Sequence, residues 1–236
     1  MATPFDYSNL SDRPRGPGLS ALSALVPGVR AVQEQVGPYA AAWAEHNRAV
    51  LEGAGPVWVA LGDSMTQGIG ASAPGRGWVG QLSMRLRERG WEHRLVNLGV
   101  NGARVDDVCD RQLPALDALS ARTGPVALVT VVIGSNDVVV PRHRRGVVTR
   151  FASMLDRLPH GAVVANLPNP HREARAIDDL LRERDEAGSL VLADMRREGP
   201  RSWRGRLSSD LFHPNDRGYA EMATVLERAV ERSRIV

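Results

Sequence analysis

Ser64 stands in Gly62-Asp63-Ser64, directly after the apolar run Val57-Trp58-Val59-Ala60-Leu61. A short run with β-branched and aromatic residues, closed by glycine, reads as a buried strand with a sharp turn behind it. A serine on that turn lies at the carboxyl end of the strand, where open α/β sheets hold their ligands. We therefore read Ser64 as a nucleophile. A serine hydroxyl is a weak one at neutral pH and needs a base, a group that orients the base, and donors for the oxyanion that forms. The chain has six histidines: His46, His93, His143, His160, His171 and His213. Only His213 has suitable company, in Ser-Asp-Leu-Phe-His-Pro-Asn-Asp, with Asp210 three residues before it. Pro214 fixes its own φ and biases His213 towards extended backbone, which stiffens the loop. Asp-x-x-His taken alone also suits an ordinary polar loop before a helix. As a metal pair it lacks a third and fourth ligand at sensible spacing.

Oxyanion donors are to be sought in two further loops, Asn97-Leu98-Gly99-Val100-Asn101-Gly102 and Gly134-Ser135-Asn136-Asp137. Glycine lets the backbone approach a substrate, and an asparagine amide is a neutral donor that can aim at an oxyanion. Gly99, Gly102 and Asn136 also fit ordinary turn and cap chemistry when each is considered singly.

These loops need elements to hold them. Strands are expected at 57–61, about 94–98, 126–133, about 162–166 and about 189–193. The third is apolar almost throughout, as a central parallel strand covered on both faces reads. Helical spacing recurs between them: Trp78, Val79, Leu82 and Leu86; Val105, Val108, Cys109, Leu113 and Leu116, bent at Pro114; then about 144–157 and 171–186. A last helix opens near Asn215 or Asp216 with Tyr219, Met222, Ala223, Leu226, Ala229 and Val230 on one face. This order predicts an α/β fold, a parallel sheet with helices on both sides. Residues 1–18 read as a polar, flexible tail, and 19–55 as a helical extension broken at Pro27 and Pro38 that packs on the remaining domain, 56–236.

Gly62-Asp63-Ser64, the Gly102 loop, Gly134-Ser135-Asn136-Asp137 and Asp210-x-x-His213 together resemble the four sequence blocks of the SGNH, or GDSL, hydrolase family, in family order over roughly residues 56–232. The resemblance implies a three-layer α/β/α fold with a flavodoxin-like parallel sheet of about five strands. It also implies hydrolysis of esters or thioesters, with esterase, thioesterase and lysophospholipase-like members, and no metal or organic cofactor. Position by position, Ser64 resembles the nucleophile and first backbone donor of the oxyanion hole, and Gly102 the second backbone donor, with Gly99 the competing glycine. Asn136 resembles the side-chain donor, His213 the general base and acid, and Asp210 its orienting partner. Asp63 reads as a structural tie of the turn. No Gly-x-Ser-x-Gly surrounds Ser64, so an α/β-hydrolase nucleophile elbow is not supported.

Bulk properties bound the partners. All 30 basic Lys+Arg residues are arginine, balanced by 27 acidic ones for a net charge of +3. Interleaved charge of this kind is not a nucleic-acid footprint, and the locally basic stretch 190–208 reads as a solvated loop. No segment approaches a membrane span, and residues 19–26 are too short and serine-interrupted for a signal-peptide core. With the single cysteine, Cys109, this points to a cytoplasmic protein acting on a small-molecule ester, of unspecified oligomeric state. Val138-Val139-Val140 are expected to pack under the next helix rather than line an acyl pocket. Residues 69–77 and 166–172 are expected to wall the site. A carbohydrate O-acetyl esterase, with Trp78 or Trp203 as a sugar platform, and a non-catalytic ligand-binding protein on the same fold are the competing readings.

Overall fold

The computed structural model describes residues 5–11, 13 and 23–233. Five parallel strands form one sheet: β1 (Val57–Gly62), β2 (Arg94–Asn97), β3 (Leu128–Val132), β4 (Ala162–Ala165) and β5 (Leu190–Ala193), in the spatial order β2-β1-β3-β4-β5. This is the flavodoxin-like doubly wound order, whose switch point lies between β1 and β3. The register pairs Gly62 with Val132, so the turns that leave β1 and β3 open side by side at that point.

Side chains alternate across β1 because successive Cβ atoms point to opposite faces. Val57, Val59 and Leu61 enter one apolar layer, and Trp58 and Ala60 enter the other. The first layer is closed by helices α5 (Leu113–Thr123), α7 (Val147–Leu155) and α8 (Arg172–Glu186). The second is closed by α4 (Trp78–Glu88) and α9 (Asp216–Arg232). All six β1 residues are buried, which at about 1.5–3 kcal/mol per large apolar side chain makes this strand the anchor of the sheet. Trp58 satisfies its one polar atom there: its Nε1 donates to Thr130 Oγ1 at 2.9 Å.

Two expectations about helix breaks need correcting. Helical residues 23–25 end at the extended Val26 and Pro27 opens α1 (Pro27–Glu34), so the expected break at Pro27 is present; the second break falls at Gln35, ahead of α2 (Val36–Val50), and not at Pro38. Pro38 lies in the first turn of α2, where a missing N–H costs nothing. The bend expected at Pro114 is a π-helical segment, Val108–Gln112, just before α5. The wider turn absorbs the main-chain donor that proline lacks. The expected helix onset at 19 lies outside the described residues, as do most of residues 1–18.

Residues 5–11 do not behave as a tail. Phe5 and Tyr7 pack on the core, Tyr7 Oη donates to Leu98 O at 2.7 Å, and the Asn9 amide, 1% exposed, donates to Asn97 O and Gly99 O at 2.9 Å each. The polar composition that suggested a tail serves main-chain atoms far along the chain.

Candidate active site

The turn after β1 is built around Gly62. Its φ is +151°, and a Cβ there would lie 2.2 Å from both Thr66 Oγ1 and Val132 O. The buried amide of Gln112 brackets the same residue, accepting from Gly62 N and donating to Gly62 O at 2.8 Å each. Nothing in the local pattern marked Gln112 except its polarity in an otherwise apolar helical row. Asp63 caps the short helix α3 (Ser64–Gln67): its Oδ1 accepts from Met65 N at 2.9 Å. Burial pushes the Asp63 carboxyl up to about 7, against the pull of the Met65 N–H.

Ser64 opens α3 and is buried. Its Oγ lies 3.0 Å from His213 Nε2, and His213 Nδ1 lies 2.6 Å from Asp210 Oδ2. Asp210 Oδ1 accepts from the Phe212 and His213 main-chain N–H groups at 3.0 Å each. Burial raises the Asp210 carboxyl, but the His213 ring and these two N–H groups outweigh it and hold the group below the usual carboxylate range. An ionised Asp210 on Nδ1 fixes the tautomer with Nδ1–H, which leaves Nε2 as the acceptor facing the serine. Closing the Asp210–His213 turn puts Leu211 at φ +57°, a left-handed conformation that costs roughly 1–2 kcal/mol for a side chain of this kind. The three residues expected to act together, Ser64, Asp210 and His213, are thus in one hydrogen-bonded line.

The donor side separates the two glycines. Gly99 N donates to Asn97 Oδ1 at 2.8 Å and is committed. Gly102, at φ +74°, turns the chain at the surface, and neither its N–H nor that of Ser64 has a protein acceptor among the described residues. Asn136 lies in α6 (Ser135–Val139) beside them. Its Nδ2 donates to Ala103 O at 2.9 Å and stands 3.4 Å from Asp63 Oδ2, so one amide hydrogen is only loosely held. Asp137 Oδ2 accepts from Val105 N at 3.1 Å, which ties the Gly102 loop to the Asn136 turn.

Beside Ser64 lies an apolar cavity of about 270 Å³, lined among others by Met65, Val132, Leu167, Trp203, Leu211 and Phe212. Val139 lines it as well, whereas Val138 is buried in the core, so of the three valines expected to pack, Val138 does and Val139 faces the cavity instead. Asn166–Asn169 wall the cavity as expected; 69–77 do not. The latter loop instead backs the His213 turn. Gly70 N donates to Gln35 Oε1 at 2.7 Å, and Ala71 O accepts from Gln35 Nε2 and Tyr39 Oη. Trp43 Nε1 holds Gln67 O at 2.9 Å, and Ser209 Oγ donates to Gly28 O at 3.1 Å. Helices α1 and α2 therefore brace both the Ser64 and the Asp210 turns. Trp78 is fully buried and offers no sugar platform. Among the described residues no group of three or more His, Cys, Asp or Glu side chains is arranged to hold a metal ion, and no helix is long and apolar enough to cross a membrane.

Comparison with known proteins agrees with this architecture. Esterase TesA of Pseudomonas aeruginosa is 36% identical over 77 residues, which are 33% of this chain and 35% of that esterase; the match thus spans about a third of the relative. A crystal structure of TesA superposes with a TM-score of 0.57 at 19% identity, covering 75% of this chain and 99% of the other. The psychrotrophic esterase EstA from a Pseudoalteromonas species gives 0.57 at 17% identity, with 75% and 98% covered. A two-domain esterase active on acetylated mannans gives 0.54 at 18%, with 77% and 50% covered. Residues 60–221, more than half of the chain, match the GDSL-like lipase/acylhydrolase family, and the chain belongs to that family.

Proposed function

We propose that this protein is a serine esterase that cleaves small-molecule carboxylic esters, thioesters among them, through an acyl-enzyme on Ser64. The observation that carries this reading is the continuous line Ser64 Oγ–His213 Nε2 at 3.0 Å and His213 Nδ1–Asp210 Oδ2 at 2.6 Å, with an unengaged N–H at Ser64 itself. In the first step Ser64 Oγ attacks the carbonyl carbon and His213 Nε2 takes its proton. Asp210 stabilises the imidazolium through Nδ1–H. The N–H groups of Ser64 and Gly102 and the Asn136 amide receive the negative oxygen of the tetrahedral intermediate. His213 then protonates the departing alcohol or thiol. Water, deprotonated by the same nitrogen, releases the acid and restores Ser64. Neither a metal nor an organic cofactor enters these steps.

The apolar lining of the cavity beside Ser64 favours an acyl chain over an acetyl group on a sugar, since fixed apolar walls reward each buried methylene. Residues 56–236 form the hydrolase domain in this reading, and 19–55 its brace. The single cysteine, Cys109, supports work in a reducing compartment such as the cytoplasm. The test is a panel of 4-nitrophenyl esters from acetate to palmitate beside an acetylated sugar. Wild-type protein is expected to turn over the short and medium esters, and Ser64→Ala to lose that activity with an unchanged far-ultraviolet circular dichroism spectrum. Full activity in Ser64→Ala excludes the reading, and turnover of the sugar acetate alone favours the deacetylase.

A further inference from the structure

The segment Pro141-Arg142-His143-Arg144-Arg145-Gly146 follows the Asn136 turn and plays no part in the chemistry above. Elsewhere in this arginine-rich chain guanidinium groups meet carboxylates: Arg85 meets Glu227, Arg150 meets Asp106, Arg182 meets Asp194 and Arg206 meets Glu221. Here they do not. Arg142 Nε donates to His143 Nε2 at 3.0 Å, and Arg144 Nη2 lies 3.0 Å from His171 Nε2. A guanidinium is always protonated and only donates, so each imidazole nitrogen facing one is the neutral acceptor. Neither guanidinium has a carboxylate in contact among the described residues; the field of Glu173 reaches Arg144, but that carboxylate is itself engaged by Arg172. The side chain of Arg145 is exposed and has no hydrogen bond or ion pair among the described residues.

Arg144 is also held still. Its Nε donates to Val138 O at 2.6 Å and its Nη2 to Val139 O at 3.3 Å. It walls a cleft of about 860 Å³ together with Arg145, His171, Arg172 and Glu173. Glu173 is the one carboxylate on that wall, and it accepts from Arg172 Nε at 2.9 Å. Both walls of the cleft continue those of the apolar cavity. On one side Ser135 and Val139 pass into Pro141 and Arg144. On the other Asn169 passes into His171, whose N–H donates to Asn169 Oδ1 at 3.0 Å.

We propose that this cleft binds an anionic group, phosphate or carboxylate, carried at the far end of whichever arm of the ester fills the apolar cavity. The proposal rests on the esterase reading for its reaction and adds the substrate class: amphiphilic esters with an apolar stretch beside the scissile bond and an anion beyond it. Arg144 keeps the two Nη1 hydrogens for an anion, its other donors being engaged, and the unpaired guanidinium of Arg145 can add a two-pronged contact. Such charge-assisted hydrogen bonds are stronger than neutral ones. The anion has two sources, the acyl arm or the alcohol arm.

Two matched pairs of esters separate them. For the acyl arm, 4-nitrophenyl hexanoate is compared with mono-4-nitrophenyl adipate; for the alcohol arm, hexyl acetate with 6-acetoxyhexyl phosphate. In one pair the anionic member is expected to have a kcat/KM about tenfold higher at low salt, an advantage that shrinks as salt screens the pair. Arg144→Gln should remove that ratio. Arg145→Gln, at a side chain that holds nothing else in place, should reduce it, which covers the case that Arg144→Gln loosens the loop. Inorganic pyrophosphate titrated calorimetrically should bind wild type and bind Arg144→Gln about tenfold more weakly. Equal handling of both pairs, or a preference indifferent to both variants, overturns the proposal while leaving the esterase reading intact. Hydrolysis of none of the four esters overturns the esterase reading, and the pyrophosphate titration then decides the anion site alone, with absence of binding to wild type counting against it.

Discussion

Asp63 sits between the Ser64 turn and Asn136, and its carboxyl faces both. One oxygen accepts from Met65 N at 2.9 Å and the other stands 3.4 Å from Asn136 Nδ2. Burial raises this group from 3.8 to about 7, so the folded chain holds the proton more tightly than the unfolded chain does. The stability it contributes is fully present below 3.8 and is lost as pH rises through about 7. Asp63→Asn keeps the Oδ1 acceptor and removes the titration. Its melting temperature relative to wild type is therefore expected to rise between about pH 5 and about pH 8. A difference that stays flat or falls over that window would show that Asp63 does not titrate there. Asn136 carries the complementary prediction. Replacing it with alanine removes an aimed donor without touching the line from Ser64 to Asp210. The expected cost is on the order of 10²–10³ in kcat with KM little changed, read from initial rates on a 4-nitrophenyl ester. A loss confined to KM would make the amide a ground-state contact only.

At the scale of elements, the turns of the site are held from behind by α1 and α2, and Gly70 is where that bracing meets the histidine. Its φ is +97°, and a Cβ there would lie 2.6 Å from Pro214 O and 2.7 Å from His213 Cβ. Gly70→Ala must displace the His213 turn. A misplacement near 1 Å costs about 10² in rate, so kcat is expected to fall by that order in a protein that still melts cooperatively; unchanged kinetics would mean that the loop, not the histidine, yields. The parallel strands and three of the four site loops were legible in the sequence because each is local: an apolar run, a glycine, then a polar residue of the right type; the fourth was legible from Asp210-x-x-His213-Pro214 just ahead of the last helix. The bracing was not legible. Asn9, Gln35 and Asn47 serve Asn97 O, Gly70 N and Ala71 O, partners that no periodicity connects to them. A polar side chain destined for a distant main-chain atom looks like a solvated one, which is why residues 5–11 read as a tail. Gly102 and Gly99 differ for a similar reason. The sequence offers two glycines in one loop, and only the fold shows that Asn97 occupies the N–H of Gly99.

Taken whole, the molecule places Ser64, Asn136 and the apolar cavity at the switch point of a 2-1-3-4-5 sheet, where segments from different crossovers meet at one edge. The cavity is lined by the α6 turn, the loop after β4 and two stretches of the β5–α9 connection, Met195 to Leu207 and Leu211 to Pro214, with Met65 of α3, Val132 of β3 and Met222 of α9. Trp203 is the largest side chain on its wall. It is half-buried and packs against the layer that includes Met195 and Met222, so its indole is a fixed wall rather than a swinging one. If acyl chains lie here, each methylene added to the substrate gains contact with that wall, and such increments are worth roughly 1–3 kcal/mol each in a fitted pocket. Trp203→Ala is then expected to lower kcat/KM for 4-nitrophenyl hexanoate by about tenfold or more. Acetate, too short to reach the indole, should change by less than about twofold, because a group that makes no contact loses none. The comparison of slopes against chain length isolates the wall from any general loosening, which would depress both esters alike. Hexanoate turnover that Trp203→Ala leaves unchanged would place the acyl chain outside this cavity, and with it the path from Ser64 towards Arg144.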